Sequence, residues 1–209
     1  MKEKYIVNSK NKYREIKKRK IFLILLILCA ISLICGILFL AFLDKNGKQI
    51  TVNTITSFFK ELSTKPNKDL IINTLKNNIL ITIIMWLLGV SLFGVIFELL
   101  FLAIKSFTLG FSITSFIYTF KFKGIYLSIL YLFPSIFNLI IYFILGFFAT
   151  NYSIYLFNYL FKNKEHNLKL LMKKYIKVLL ISMILLFISS IIEIFIVPYI
   201  LKLFTKTLF

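Results

Sequence analysis

The sequence predicts an all-α polytopic integral membrane protein, a helical bundle of about five transmembrane helices of which one is short or re-entrant. Three observations carry this. Of 209 residues, 59% are hydrophobic, and the mean hydropathy is +0.89, whereas a soluble domain carries about 45–50% apolar residues. The apolar residues are gathered into long runs. Most of the 26 Lys and Arg, against 8 Asp and Glu, lie between those runs. At 24.6 kDa the runs claim most of the chain, so residues 21–209 read as a single transmembrane domain behind a basic tail.

Residues 1–20 hold nine basic side chains against Glu3 and Glu15, which keeps this tail in the cytoplasm. Residues 21–43 are uninterruptedly apolar, enough to cross about 30 Å of hydrocarbon at roughly 1.5 Å per residue. The run is longer than a signal peptide's apolar core, and Ala41-Phe42-Leu43 is a poor cleavage site, so the helix is retained. Residues 44–78 form an outer loop. Val52, Ile55, Phe58, Phe59 and Leu62 recur there at helical spacing, which predicts a short amphipathic helix on the membrane surface or against a partner, ended by Pro66.

The second span is placed at residues 79–104, bounded by Lys105. Residues 106–120 then make a short span or a re-entrant element, since 15 residues reach only about 22 Å. The fourth span is placed at 132–149 and continues as an interfacial helix, with Tyr152, Tyr155 and Tyr159 at the lipid boundary. Residues 150–177 form a cytoplasmic loop, whose part from Lys162 to Lys177 has six lysines, Glu165 and the lone His166. The last span is 178–204. Five spans leave sixteen basic residues inside against ten outside, while a re-entrant 106–120 leaves fourteen against twelve. Five spans therefore fit better, with the N-terminus inside and the C-terminus outside.

The net charge of +18 flanks hydrophobic spans instead of lining a folded face. Lipid headgroups of the bilayer are thus its expected counter-charge, and nucleic acid is not. Cys29 and Cys35 lie in the first apolar run, six residues apart, and suggest neither a disulfide nor a metal site. Single His166 sits among lysines, so a Ser-His or Cys-His pair within the membrane has no base. HExxH, CxxC and glycine-rich phosphate loops are absent from the sequence. No enzymatic chemistry and no cofactor is expected.

Acids inside spans cost roughly 2.5–3.5 kcal/mol on insertion scales. Glu98, seven residues before Lys105, is expected to reach the headgroups by snorkelling. Glu193 lies deeper and is followed by Pro198. Ser182, Ser189 and Glu193 share one helix face, which should turn toward other helices to hydrogen-bond, relay protons or cations, or meet a partner. Pro134, Asn138 and Gly146 allow either tight packing or the broken helix of a transporter site.

Four segments carry a resemblance: Trp86-Leu-Leu-Gly89-Val-Ser91-Leu-Phe-Gly94, Lys105-Ser-Phe-Thr-Leu-Gly110-Phe, Phe133-Pro134, and Ser189-Ser190-Ile-Ile-Glu193 with Pro198. In order and spacing the chain resembles the stage II sporulation protein M family from about Leu70 onward. The resemblance assigns nothing to Glu98. It implies a non-enzymatic membrane component of the engulfment machinery of endospore-forming bacteria, at the division septum, whose partners are two peptidoglycan-degrading proteins, stage II sporulation proteins D and P. The expected function is a scaffold that recruits and positions those hydrolases, through helix contacts and the outer loop. The alternative is a permease-like transporter, or the membrane subunit of an ATP-driven one, that uses the polar face around Glu193.

Overall fold

The computed structural model describes residues 2–64, 67–91, 93–162 and 168–208, with side chains described outside residues 2–15, 17, 58–71, 74, 130–131, 162 and 194–208. These residues form six helices: α1 (Lys2–Phe42), α2 (Lys45–Thr64), α3 (Asn67–Val90), α4 (Gly94–Phe120), α5 (Phe122–Lys162) and α6 (Leu168–Leu208). Four stretches are long and apolar enough to cross a bilayer: Lys18–Phe42, Gly94–Phe120, Leu132–Phe161 and Leu168–Glu193. Leu75–Val90 in α3 is apolar but shorter. The protein is a polytopic helical membrane protein, as its composition predicts. Broad apolar faces such as Ile24, Ile27 and Leu38 on α1, or Ile96, Leu100 and Ile104 on α4, are exposed, which suits lipid as the solvent.

Helix boundaries differ from the expected ones in the middle of the chain. The break falls at residues 91–93 and not at Lys105, so the expected spans 79–104 and 106–120 are replaced by α3 and a continuous 27-residue α4. Hydrogen bonds explain the position. Both the Ser91 N–H and the Ser91 hydroxyl donate to the Leu88 carbonyl, at 2.9 and 2.8 Å, closing the last turn of α3. The Gly94 N–H then donates to the Ser91 carbonyl at 3.2 Å. A Cβ on Gly94 would collide with the Leu88 carbonyl oxygen, so only glycine fits the turn. Hydropathy alone does not register this, because the turn residues are nearly as apolar as their flanks.

Of the two alternatives open at Pro134, α5 shows close packing: the helix runs unbroken through Pro134, whose carbonyl accepts a hydrogen bond from the Ser189 hydroxyl of α6 at 3.4 Å. One expectation on α5 does change. Tyr152, expected at the lipid boundary, is instead buried and stacked on Tyr175. On α2, Asp44 accepts the Gly47 N–H at 2.8 Å, an N-terminal cap, and Val52 and Ile55 are half-buried. The side chains of Phe58, Phe59 and Leu62, and all of Pro66, lie outside the described residues.

Pairwise contacts set the helix directions. Phe22 packs on Phe143 and Phe147 of α5, level with Gly146, which faces Leu102 and Glu98. Phe39 packs on Phe107 and Phe111, so α1 and α4 run parallel. α5 runs antiparallel to α4 after a one-residue turn at Lys121, which takes φ 53°. α6 is antiparallel to α5, through Tyr175 on Tyr152 and Ser189 on Pro134. Leu25, Met85, Leu102, Ile141, Tyr142, Leu145 and Leu186 form the common core.

In permeabilised cells, a cysteine at Phe93, in a chain freed of Cys29 and Cys35, is therefore expected to react with a bulky membrane-impermeant maleimide, whereas one at Lys105 stays unlabelled. Equal labelling of both positions would contradict the break at 91–93.

Candidate functional site

Lys105 is central to the candidate site because the break at 91–93 moves it from a helix end into a helix. It stands eleven residues after Gly94, about 16 Å along α4 at 1.5 Å per residue. A lysine at that depth needs compensation. Its ammonium lies over the rings of Phe101 and Tyr142, at 5.7 and 5.9 Å from the centroids. Lys105 and Glu193 of α6 line one cavity of about 200 Å³, so side chains of opposite formal charge face the same space.

α3 and α5 complete the walls with Asn78, Asn138 and Tyr142. Asn78 ties three helices together: its amide donates to the Ser190 hydroxyl at 2.8 Å, and its carbonyl oxygen accepts from the Tyr142 hydroxyl at 3.3 Å. Ser190 in turn donates to the Leu186 carbonyl at 2.8 Å. Asn138 differs. It is 8% exposed, and its Oδ1 has no hydrogen-bond partner among the described residues.

The cavity extends in one direction. Thr108 and Ser112 lie beyond Lys105 on α4, and Ser135 precedes Asn138 on α5, all toward the α4–α5 turn. The apolar core of Met85, Leu102, Leu145 and Leu186 occupies the opposite side. Farther that way, Trp86 stacks on Tyr175 at 5.7 Å and 17°, and Tyr175 on Tyr152 at 4.9 Å and 10°. The Tyr175 hydroxyl donates to the Trp86 carbonyl at 3.0 Å.

Glu98 does not reach outward from the bundle, as snorkelling would require. Its side chain is wholly buried, near Leu102 and the Gly146 backbone. Neither carboxyl oxygen has a hydrogen-bond partner among the described residues. With no partner to lose, Glu98→Met is expected to raise stability by about 1–3 kcal/mol, because it removes an unsatisfied buried carboxyl, whereas Glu98→Gln keeps an unsatisfied polar group and should change it by less than about 1 kcal/mol. Thermal unfolding in detergent measures this, and a large loss in both would show that the carboxyl has a bonding partner.

The other sequence candidates separate into distinct places. Glu193 and Asn138 meet in the cavity, and Ser189 and Pro134 bond beside it. Trp86 and Gly89 belong to the aromatic stack, where a Cβ on Gly89 would collide with the Tyr175 hydroxyl and with Ala149. Gly94 shapes the turn at 91–93. Gly110 meets α1, where its missing Cβ makes room for the Leu33 carbonyl. Pro198 is in α6, with its side chain outside the described ones, and His166 lies outside the described residues altogether. Sequence reading missed Lys105, Asn78, Tyr142 and Gly36. The seven-residue spacing of Glu98 and Lys105, which keeps them on one side of a single helix, was the available signal.

A family model described as Stage II sporulation protein M matches residues 24–198. The chain belongs to the stage II sporulation protein M family. No match was found among curated proteins or among solved structures. The match takes in the cavity, the aromatic stack and the turn at 91–93, so a stage II sporulation protein M region accounts for nearly all of the described bundle. The protein is thus a sporulation membrane protein of a family not known for enzymes. Among the described residues no group of three or more His, Cys, Asp or Glu is placed to hold a metal ion.

Proposed function

We propose that this protein is a non-enzymatic membrane scaffold that recruits and positions septal peptidoglycan hydrolases, stage II sporulation proteins D and P, during engulfment. The family match over residues 24–198 is the observation that carries this reading. The geometry agrees with it. Helices α1 and α4 expose apolar faces on which partner helices can pack, and α2 presents an amphipathic surface beside α4 and α6. The protein works at the sporulation septum of the cell membrane.

In this reading the basic N-terminus and the turn at 91–93 are cytoplasmic, while the turn at Lys121 and the C-terminus face outward. The nine basic residues before Ile21 and the lysines at 169, 173, 174 and 177 then share the cytoplasmic side.

Affinity purification from sporulating cells is expected to recover both hydrolases, and recovery should fall at least tenfold when residues 45–64 are replaced by an unrelated amphipathic helix. If neither hydrolase is recovered with the native chain, the scaffold reading fails.

A permease remains the second reading, favoured by one observation, the polar cavity at Lys105 and Glu193. The apolar core on one side of that cavity weighs against it, because transport needs access from both sides in turn.

A further inference from the structure

We propose that the cavity between α3, α4, α5 and α6 is a binding site for a small zwitterionic solute of amino-acid size. Charge selects the class. Lys105 and Glu193 line the same space with opposite charges. A simple anion would pair with Lys105 and be repelled by Glu193, and a simple cation would meet the reverse. A zwitterion matches both and brings no net charge into the low-dielectric interior.

Size and hydrogen bonding point the same way. A space of about 200 Å³ holds a solute of amino-acid dimensions. Asn138, more than nine-tenths buried, offers an amide oxygen that no described group satisfies. An unsatisfied buried acceptor costs about 1–3 kcal/mol when it has no ligand, and an ammonium donor satisfies it. Asn78 and Tyr142 are already bonded to each other, so they fix the floor and leave Lys105, Glu193 and Asn138 to meet the solute.

The polar lining runs toward the α4–α5 turn through Thr108 and Ser112 on α4 and Ser135 on α5, while the apolar core closes the other side, so the solute enters from the turn side, past Ser112. The site therefore captures its solute from one face of the membrane, which suits a sensing or stabilising ligand. It is independent of the hydrolase-positioning reading, because neither charge takes part in the proposed contacts of α2.

The test is thermal unfolding of the full-length protein in detergent with glycine, L-alanine or D-alanine, and with acetate and methylammonium as single-charge probes. At least one amino acid is expected to raise the unfolding temperature saturably, by about 3 °C, and the single-charge probes not at all. Lys105→Met and Glu193→Gln should each remove the rise. Ser112→Phe, which narrows the entrance without touching either charge, should remove it in a protein that still unfolds in one cooperative transition. No rise with any of the three amino acids, an equal rise with acetate or methylammonium, or a full rise in Ser112→Phe would each overturn the proposal. The first result is the one expected of a cavity that holds only water or a partner's side chain. Hydrolase recovery from cells with Ser112→Phe separates the two readings, since it stays intact whatever the binding result.

Discussion

Gly110→Leu is expected to pry α1 from α4 and to lower stability by about 3 kcal/mol, at the upper end of the cost of overpacking. The two helices cross at a reciprocal pair of glycines. A Cβ on Gly110 would collide with the Leu33 carbonyl oxygen, and a Cβ on Gly36 with the Phe107 carbonyl oxygen. Each obstacle is backbone, which cannot rotate away as a side chain can, so the whole helix must move. In a bilayer, separated helices lose close packing with no hydrophobic gain to replace it. Gly36→Leu should thus cost about the same, and the double variant scarcely more than either alone, because the first substitution already opens the crossing. Unfolding midpoints of the two single variants and the double variant in detergent measure this. Losses that simply add would show that the glycines act at separate contacts.

That pair illustrates what could be read from the residues. Membrane embedding, a helical fold and the polar face of α6 follow from composition and spacing, because the bilayer imposes long apolar runs and penalises every stray charge. Ser182 and Ser189 are indeed buried against other helices. Gly110 was visible as part of a family pattern, but its partner Gly36 was not, since a crossing contact leaves no periodicity in either helix. The turn at 91–93 escaped notice for a related reason. Ser91 and Gly94 close it with local hydrogen bonds, whereas hydropathy sees an unbroken run. With the boundary set at Lys105, that residue reads as a helix end and Glu98 as a snorkelling acid. Correct placement of the turn puts Lys105 inside α4, on the cavity that Glu193 lines, whereas the burial of Glu98 near Gly146 is a packing contact that the turn does not predict. Tertiary contacts between α3, α4, α5 and α6 decide the site, and no local pattern encodes them.

Lys105→Met and Glu193→Gln are each expected to destabilise the protein by about 2–3 kcal/mol, because each leaves the opposite charge facing the cavity without its counter-charge. Lys105 retains the ring faces of Phe101 and Tyr142 when Glu193 is neutral, so Glu193→Gln should be the milder of the two. Glu193 has no comparable substitute within the cavity, where its remaining polar neighbours are neutral amides and hydroxyls. The double variant Lys105→Met/Glu193→Gln removes both charges at once and is expected to recover to within about 1 kcal/mol of the parent, since neither desolvated ion remains. The coupling energy of this cycle should therefore reach at least about 2 kcal/mol, as read from unfolding in detergent or bicelles. Charge reversal, Lys105→Glu with Glu193→Lys, should recover less, because the new lysine on α6 loses the two rings that hold the ammonium on α4. Additive single losses would mean that the two charges are screened from each other by water, and that the cavity wall does not depend on their pairing.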